Sequence, residues 1–140
     1  MAQASHLALE IVTPDRAVVR EQVDEVQAPG AAGYFGVLPG HTPMLALLQV
    51  GTLWYRVGAE KHFLSVAGGV AEVTADRVIV LATIAERADE IDVDRAQAAR
   101  QRAEKRLAER QRDLDMERAR VSLLKAMTRL NVADKARTRG

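Results

Sequence analysis

Four cationic side chains in the C-terminal part of the chain have the spacing to bind one anion together. Arg95 and Arg102 lie seven residues apart, on nearly the same face of a predicted helix. Lys125 and Arg129 form an i, i+4 pair on a second predicted helix. If the helices fold back on each other, the four cations and the positive end of the first helix face one volume, which makes a phosphate-bearing ligand one hypothesis. The alternative is that these are ordinary solvated charges and that Asp92 serves only as a helix cap.

Residue types that carry catalysis or bind metals are isolated elsewhere in the sequence. His6, His41 and His62 stand alone, without the paired spacing of a zinc site, and there is no cysteine. His41 lies in the run FGVLPGHTPML and is interpreted as a turn residue. Phosphate-loop and nucleophile-elbow motifs are absent from the sequence, so Gly68-Gly69 is predicted to form a turn between two strands. We therefore expect no catalytic residues and no metal site.

Charge is divided unevenly along the chain. Residues 1–86 carry five basic and nine acidic side chains, whereas residues 87–140 carry fifteen basic and ten acidic ones. A nucleic-acid-binding module that uses the basic helices is one interpretation. Basic and acidic residues alternate throughout RQRAEKRLAERQRDLDMERAR, however, and the predicted helices contain no aromatic residue on which bases could stack. We therefore expect no nucleic-acid partner.

The composition is that of an ordinary globular protein. Hydrophobic residues make up 48% and charged residues 28% of the 140 positions. The sequence has no uncharged apolar run of about 18 residues, the length that a membrane span requires. Its first residues, MAQASHLALE, lack the basic and then apolar pattern of a signal peptide. We expect a bacterial-type cytoplasmic protein without direct membrane insertion.

The two halves differ in hydrophobic periodicity. HLALEIV and the short runs that follow it alternate with period 2 and are separated by Gly and Pro, which predicts an antiparallel sandwich or barrel. Its core must consist of Val, Leu, Ile and Ala, because aromatic residues make up only 4% of the chain. In the second half the segment RQRDLD permits either a turn or one continuous helix. Two apolar stripes at helical spacing flank that segment: Ala96, Ala99, Ala103 and Leu107, then Met116, Ala119, Leu123, Ala126 and Leu130.

Four segments in fixed order resemble one known family. FGVLPGHTPML, VAGGVAEV, DRVIVLA and IDVDRA follow one another as in the epsilon subunit of bacterial F-type ATP synthase. The resemblance spans the chain from HLALEIVTPD to KAMTRL. It implies an α+β fold, with an antiparallel β-sandwich of about ten strands in residues 1–88 and an antiparallel two-helix hairpin in residues 89–140. In that family the sandwich contacts the gamma subunit and the c-ring, and the hairpin is regulatory.

The resemblance also implies a function. The family's epsilon subunit is a non-catalytic part of the central stalk of a proton-translocating ATP synthase, peripheral to the cytoplasmic face of the bacterial cell membrane. It couples rotation to ATP synthesis, and its mobile C-terminal helices reach the alpha/beta catalytic head and inhibit ATP hydrolysis. No cofactor is required, but some members bind ATP, with or without Mg²⁺, as a regulatory ligand. A purely structural coupling subunit that does not bind ATP is the alternative within the family.

The family's ATP-binding residues can be carried over by motif. Lys125 stands where the family has an arginine, so a point charge replaces a planar fork, and the resemblance implies retained but weaker binding. The implied ATP-binding set is Glu86, Ile91, Asp92, Arg95, Ala96, Arg102, Lys125 and Arg129.

Two further sets of contact residues follow from the resemblance. Tyr34 and Phe35 occupy a position where relatives often carry an acidic residue, which favours an apolar contact with the c-ring. The basic excess of the helical half is suited to an acidic surface on the catalytic subunits, with Arg118, Arg120 and Lys125 as inhibitory charges. The subunit-contact loop comprises Tyr34, Phe35, Leu38, Pro39, Gly40 and His41.

Overall fold

The computed structural model describes residues 5–109 and 113–138, which form a sheet followed by two helices. The predicted fold class is confirmed, with eight strands in the described residues rather than about ten. A 3-10 turn at Ala88–Glu90 leads from the last strand into α1 (Val93–Ala108) and α2 (Asp113–Thr138). The strands are β1 Leu7–Val12, β2 Ala17–Val23, β3 Glu25–Gly30, β4 Gly33–Val37, β5 Met44–Leu48, β6 Gly51–Val57, β7 Glu60–Val73 and β8 Arg77–Arg87.

The strands form one sheet that folds over into a sandwich. Strand β7 pairs with β6 along its first half and with β5 along its second half. Strand β3 also pairs with both β5 and β6, so the two layers are joined at this side. Strands β2, β1 and β8 continue the sheet beyond β7. All of these described pairs are antiparallel except β1 with β8, which run parallel.

Strand β7 bends at Gly68 and Gly69 instead of ending there. Both glycines have positive φ, +75° and +124°, and a Cβ on Gly69 would lie 2.2 Å from the carbonyl oxygen of Leu81. Pairing with β8 continues on both sides of the bend. The predicted turn between two strands is therefore wrong, because the glycines bend one strand where its other neighbour changes. One long strand thus stands where two were expected.

The core of the sandwich has the predicted composition. Leu7, Leu9 and Ile11 of β1 are buried, as the period-2 alternation indicates. The other buried side chains of this cluster are Val, Leu and Ala, together with Tyr55.

The helices pack against each other through alanines. Asp92 caps α1, since its carboxylate accepts a hydrogen bond of 3.1 Å from the Arg95 backbone N–H, as predicted. Ala96 and Ala103 of α1 are buried, and so are Ala119 and Ala126 of α2, because small side chains let the two helix axes approach closely. Of the segment that permitted a turn or a continuous helix, residues 110–112 lie outside the described residues; the helices on either side are separate.

The hairpin rests on the sandwich through a small second apolar cluster. Ile91, Val132 and Ala133 are buried together, with Phe63 of β7 packed against them. Lys135 adds a cation–π contact, with its Nζ 5.2 Å from the centre of the Phe63 ring. Neither described helix is long and apolar enough to cross a membrane.

Candidate functional site

A cavity of about 260 Å³ lies where the hairpin rests on the sandwich. Ser65 of β7 and Glu86 of β8 line it from the sheet, and Lys125 and Arg129 line it from α2. Ala99 of α1 forms part of its wall. The volume is just below the range of about 300–1,000 Å³ that is typical of small-molecule pockets. A ligand bound here would contact both halves of the chain at once.

Glu86 and Arg129 form an ion pair across this cavity. Arg129 Nη2 donates to Glu86 Oε2 at 3.2 Å, and Arg129 Nε lies 2.7 Å from Glu86 Oε1. Despite that short approach, Nε is buried and its N–H has no acceptor in hydrogen-bonding geometry within the described residues. Both side chains are about one quarter exposed, 26% for Glu86 and 24% for Arg129. The pair is therefore screened less than a surface ion pair, and it ties α2 to β8.

Three residues of the implied ATP-binding set, Glu86, Lys125 and Arg129, thus lie around one cavity. Lys125 is half-buried on the α2 face that is turned towards the sandwich.

The other five residues of that set lie at the start of α1 or along it and do not line the cavity. Ile91 belongs to the second apolar cluster, Asp92 caps the helix and Ala96 is fully buried. The side chains of Arg95 and Arg102 are exposed. In this conformation IDVDRA starts a helix and packs the hairpin. Lys125 and Arg129 line the cavity and Arg95 and Arg102 do not, so the convergence of all four cations stays a prediction.

Ser65 was missed by the sequence analysis. It is only 6% exposed, and it lies opposite Glu86 in the β7–β8 ladder. A single serine in an apolar strand carries no distinctive signal, since its burial depends on α2, which is remote in sequence.

A larger cleft, of about 470 Å³, lies beside Tyr55, His62 and Phe63. The Tyr55 hydroxyl donates to Glu21 Oε2 at 3.0 Å, and the His62 ring stacks on Tyr55 with the ring centres 4.9 Å apart. Burial and the neighbouring Glu21 carboxylate raise the pKa of Tyr55 to about 12. Because Glu86, Lys125 and Arg129 of the implied ATP-binding set line the smaller cavity, we take that cavity as the candidate ligand site. The described residues contain no group of three or more side chains arranged to hold a metal ion.

The predicted subunit-contact residues lie on strand β4, which holds Tyr34 and Phe35, and in the turn that follows it, and two of their side chains are exposed. Tyr34 is 53% and Leu38 is 54% exposed, although the Tyr34 hydroxyl also accepts the Thr52 backbone N–H at 3.1 Å. Phe35 is half-buried against the sandwich core, so the two adjacent aromatics face different surroundings.

The rest of this segment is held by one hydrogen bond to a distant part of the chain and by one within itself. Gly40, at φ +89°, donates its N–H to Ala75 O at 2.7 Å. His41 Nδ1 lies 2.6 Å from the Thr42 carbonyl oxygen, so Nδ1 carries the proton. Pro39 and His41 are partly buried.

An exposed apolar face on the sheet was also missed. Leu45 and Leu47 of β5 are 71% and 67% exposed, and Leu81 of β8 is 57% exposed. The strand registers place Leu47, Val70, Leu81 and Val12 in one row across four neighbouring strands. In MLALL and VIVL consecutive residues are apolar, so both faces of each strand are apolar. This pattern is typical of strands that are covered on both faces, and it is the signal in the sequence that could have revealed this surface.

The outward side of α2 carries exposed charges and an apolar stripe. Arg118 is exposed, and Arg120 pairs with Glu117 at 3.1 Å. Three further side chains at helical spacing are 38% to 49% exposed: Val121, Leu124 and Met127. Helix α2 therefore has two apolar sides. One is buried within this chain, and the other is the exposed stripe.

Comparisons with known proteins agree on one family. The model for "ATP synthase, Delta/Epsilon chain, beta-sandwich domain" matches residues 6–88, and that for "ATP synthase, Delta/Epsilon chain, long alpha-helix domain" matches residues 89–134. The ATP synthase epsilon chain of Solibacter usitatus is 51% identical over 129 residues, which are 92% of this chain and 96% of the relative. That of Syntrophobacter fumaroxidans is 52% identical over 132 residues, 94% and 98% of the two chains.

Two solved structures share the fold. A chain of the Euglena gracilis mitochondrial ATP synthase OSCP/F1/c-ring structure aligns with a TM-score of 0.80 at 21% identity, covering 91% of this chain and 81% of that one. A chain of the Tetrahymena thermophila mitochondrial ATP synthase central stalk and c-ring structure aligns with a TM-score of 0.57 at 15% identity, covering 96% and 98%.

Proposed function

The chain belongs to the delta/epsilon family of ATP synthase subunits, and on that basis we propose that it is a non-catalytic central-stalk subunit of a proton-translocating F-type ATP synthase. It couples rotation to ATP synthesis at the cytoplasmic face of the bacterial cell membrane, to which it is peripheral. Its C-terminal hairpin inhibits ATP hydrolysis, and ATP bound at the sandwich–hairpin cavity opposes that inhibition.

The proposed contact with the gamma subunit uses the exposed apolar sheet face. The row formed by Leu47, Val70 and Leu81 is a contiguous apolar surface, of the kind that marks a protein interface. The exposed side chains Tyr34 and Leu38 support a separate apolar contact of the loop with the c-ring.

Inhibition of hydrolysis requires that the hairpin leave the sandwich. Among the described residues the attachment includes a small buried apolar cluster around Ile91, the cation–π contact of Lys135 and the Glu86–Arg129 pair. The uncovered stripe on α2, together with the exposed Arg118 and Arg120, supports a second docking partner in the alpha/beta head. Exchange between two such partners is a population shift, which a ligand biases only by its differential affinity for the two states.

The cavity carries the ATP-sensing part of the proposal. It is lined by Glu86 of the sandwich and by Lys125 and Arg129 of α2, so a ligand there favours the docked hairpin. ATP at about 100 times its dissociation constant favours that state by about 2.7 kcal/mol. The exposed Arg95 and Arg102 must then turn towards the phosphates when ATP binds.

The test is calorimetric titration of the full chain with ATP, with and without Mg²⁺. We expect Lys125→Ala to weaken binding about tenfold and Arg95→Ala to weaken it similarly if α1 turns towards the ligand. Lys105→Ala is the matched control, because Lys105 is exposed in the last turn of α1. Absence of ATP binding by the wild type would leave a purely structural coupling subunit.

A further inference from the structure

Ser65 is a buried polar side chain without a partner. It is 94% buried, since its exposed fraction is 6%. It lines the sandwich–hairpin cavity, and its hydroxyl makes no hydrogen bond to any residue that the structure describes. Its oxygen is not among the fully buried, unbonded side-chain atoms of the described residues, so the hydroxyl opens onto the cavity, where a ligand can reach it. Arg129 Nε, also buried and without a hydrogen bond to the described residues, lines the same cavity.

The surroundings of Ser65 restrict what could bind there. Its register partner is Glu86, whose carboxylate accepts hydrogen bonds and repels phosphate oxygens. A hydroxyl can donate or accept. The Ser65–Glu86 pair therefore suits an uncharged group that carries N–H or O–H, whereas the cations Lys125 and Arg129 suit the negatively charged part of the same ligand.

We infer that Ser65 is a ligand-binding residue of this cavity, where it contacts the uncharged hydroxyl- or amino-bearing part of a nucleotide rather than its phosphates. The inference rests on the proposed ATP site and adds to it a residue and an orientation. The base amino group and the ribose hydroxyl share this chemistry, and analogues that lack one or the other distinguish them.

The test compares Ser65→Ala with wild type by thermal unfolding and by calorimetric titration. Because the hydroxyl has no internal partner, we expect the variant without ligand to unfold at the wild-type temperature or slightly above it. ATP affinity should fall about three- to tenfold, and affinity for inorganic tripolyphosphate should not change. Ser5→Ala is the control, since Ser5 is exposed and does not line the cavity. It should bind ATP like the wild type.

Analogues then assign the group. If Ser65 contacts the amino group, Ser65→Ala leaves inosine triphosphate binding unchanged; if it contacts the ribose, binding of 2′-deoxy-ATP is unchanged. Equal ATP affinity of the variant and the wild type would overturn the inference and leave the ATP site standing. An equal loss for ATP and tripolyphosphate would overturn it too, because Ser65 would then contact phosphate. A wild type that binds no nucleotide would overturn both proposals.

Discussion

Arg129 on α2 and Glu86 on β8 connect the two halves of the chain, with Nη2 3.2 Å from Oε2 and Nε 2.7 Å from Oε1. The same two side chains line the cavity. Attachment of the hairpin and occupation of the cavity therefore depend on the same charges.

Glu86→Gln should loosen the hairpin without unfolding the sandwich. Arg129 would lose its charged partner while remaining mostly buried, at a cost of about 1–2 kcal/mol. Amide hydrogen exchange should become faster in α2 and stay unchanged in β1. The control is Glu104→Gln, because Glu104 pairs with Arg100 at an exposed site where both side chains are about half exposed. Equal exchange in both variants would show that the Glu86 pair does not hold the hairpin.

Gly69→Ala should destabilise the sandwich strongly. The new Cβ would lie 2.2 Å from Leu81 O, at a φ of +124° that other residues rarely adopt. We expect a loss of at least about 2 kcal/mol in the free energy of unfolding, measured with urea. Gly36→Ala is the matched control, since Gly36 has no positive φ and no atom within 4 Å of its Cβ position. A loss below that of Gly36→Ala would mean that the bend tolerates a side chain.

Leu81→Asp should abolish association with the gamma subunit while the protein remains folded. Leu81 is 57% exposed, so the free energy of unfolding should change by less than about 1 kcal/mol. Affinity for purified gamma subunit should fall at least about tenfold, because a charge on an apolar contact is desolvated without a partner. Ala59→Asp, at an exposed position in the turn between β6 and β7, is the control. Wild-type affinity in Leu81→Asp would place the gamma contact elsewhere.

Lys125→Arg should strengthen ATP binding. An arginine presents a planar fork to phosphate where lysine presents a point charge, so we expect about a three- to tenfold gain by calorimetry. Lys105→Arg, the same change at an exposed site on α1, should have no effect. Weaker binding by Lys125→Arg would indicate that the cavity is too small for the larger side chain.

Asp24 should contribute to acid sensitivity. The Gly58 backbone N–H and then the His6 side chain hydrogen-bond its carboxylate and hold its pKa below the ordinary aspartate range. A group whose pKa is lowered by folding stabilises the protein at higher pH and loses that contribution as pH falls through the folded-state pKa. Asp24→Asn should therefore be less stable than wild type near neutral pH and equally stable in strong acid. Asp15→Asn, the same change at an exposed loop position, is the control.

Local patterns predicted much of the fold. The alternation in β1, the Asp92 cap and the alanine stripes all depend on neighbouring residues, which the sequence displays directly. The prediction for Gly68-Gly69 was wrong because two glycines indicate only that positive φ is locally favourable. Whether the chain then bends or reverses depends on which strand the following residues pair with, and that is a long-range contact.

The candidate site was predictable only where a motif marked it. Lys125 and Arg129 were named from their i, i+4 spacing and, together with Glu86, from the resemblance, and the three lie together at the cavity. Ser65 was not, because its burial and its pairing with Glu86 arise from long-range contacts. The exposed apolar sheet face could have been predicted from the sequence, since Leu45 and Leu47 make β5 apolar on both sides.

The unbroken course of β7 has a mechanical consequence. Its 14 residues continue through the bend at Gly68 and Gly69. Near one end of β7, Val70 belongs to the exposed apolar sheet face. Near the other end, Phe63 packs against α2. A force on the exposed apolar sheet face is therefore transmitted to the contact with α2 through the covalent backbone, which is far stiffer than side-chain packing.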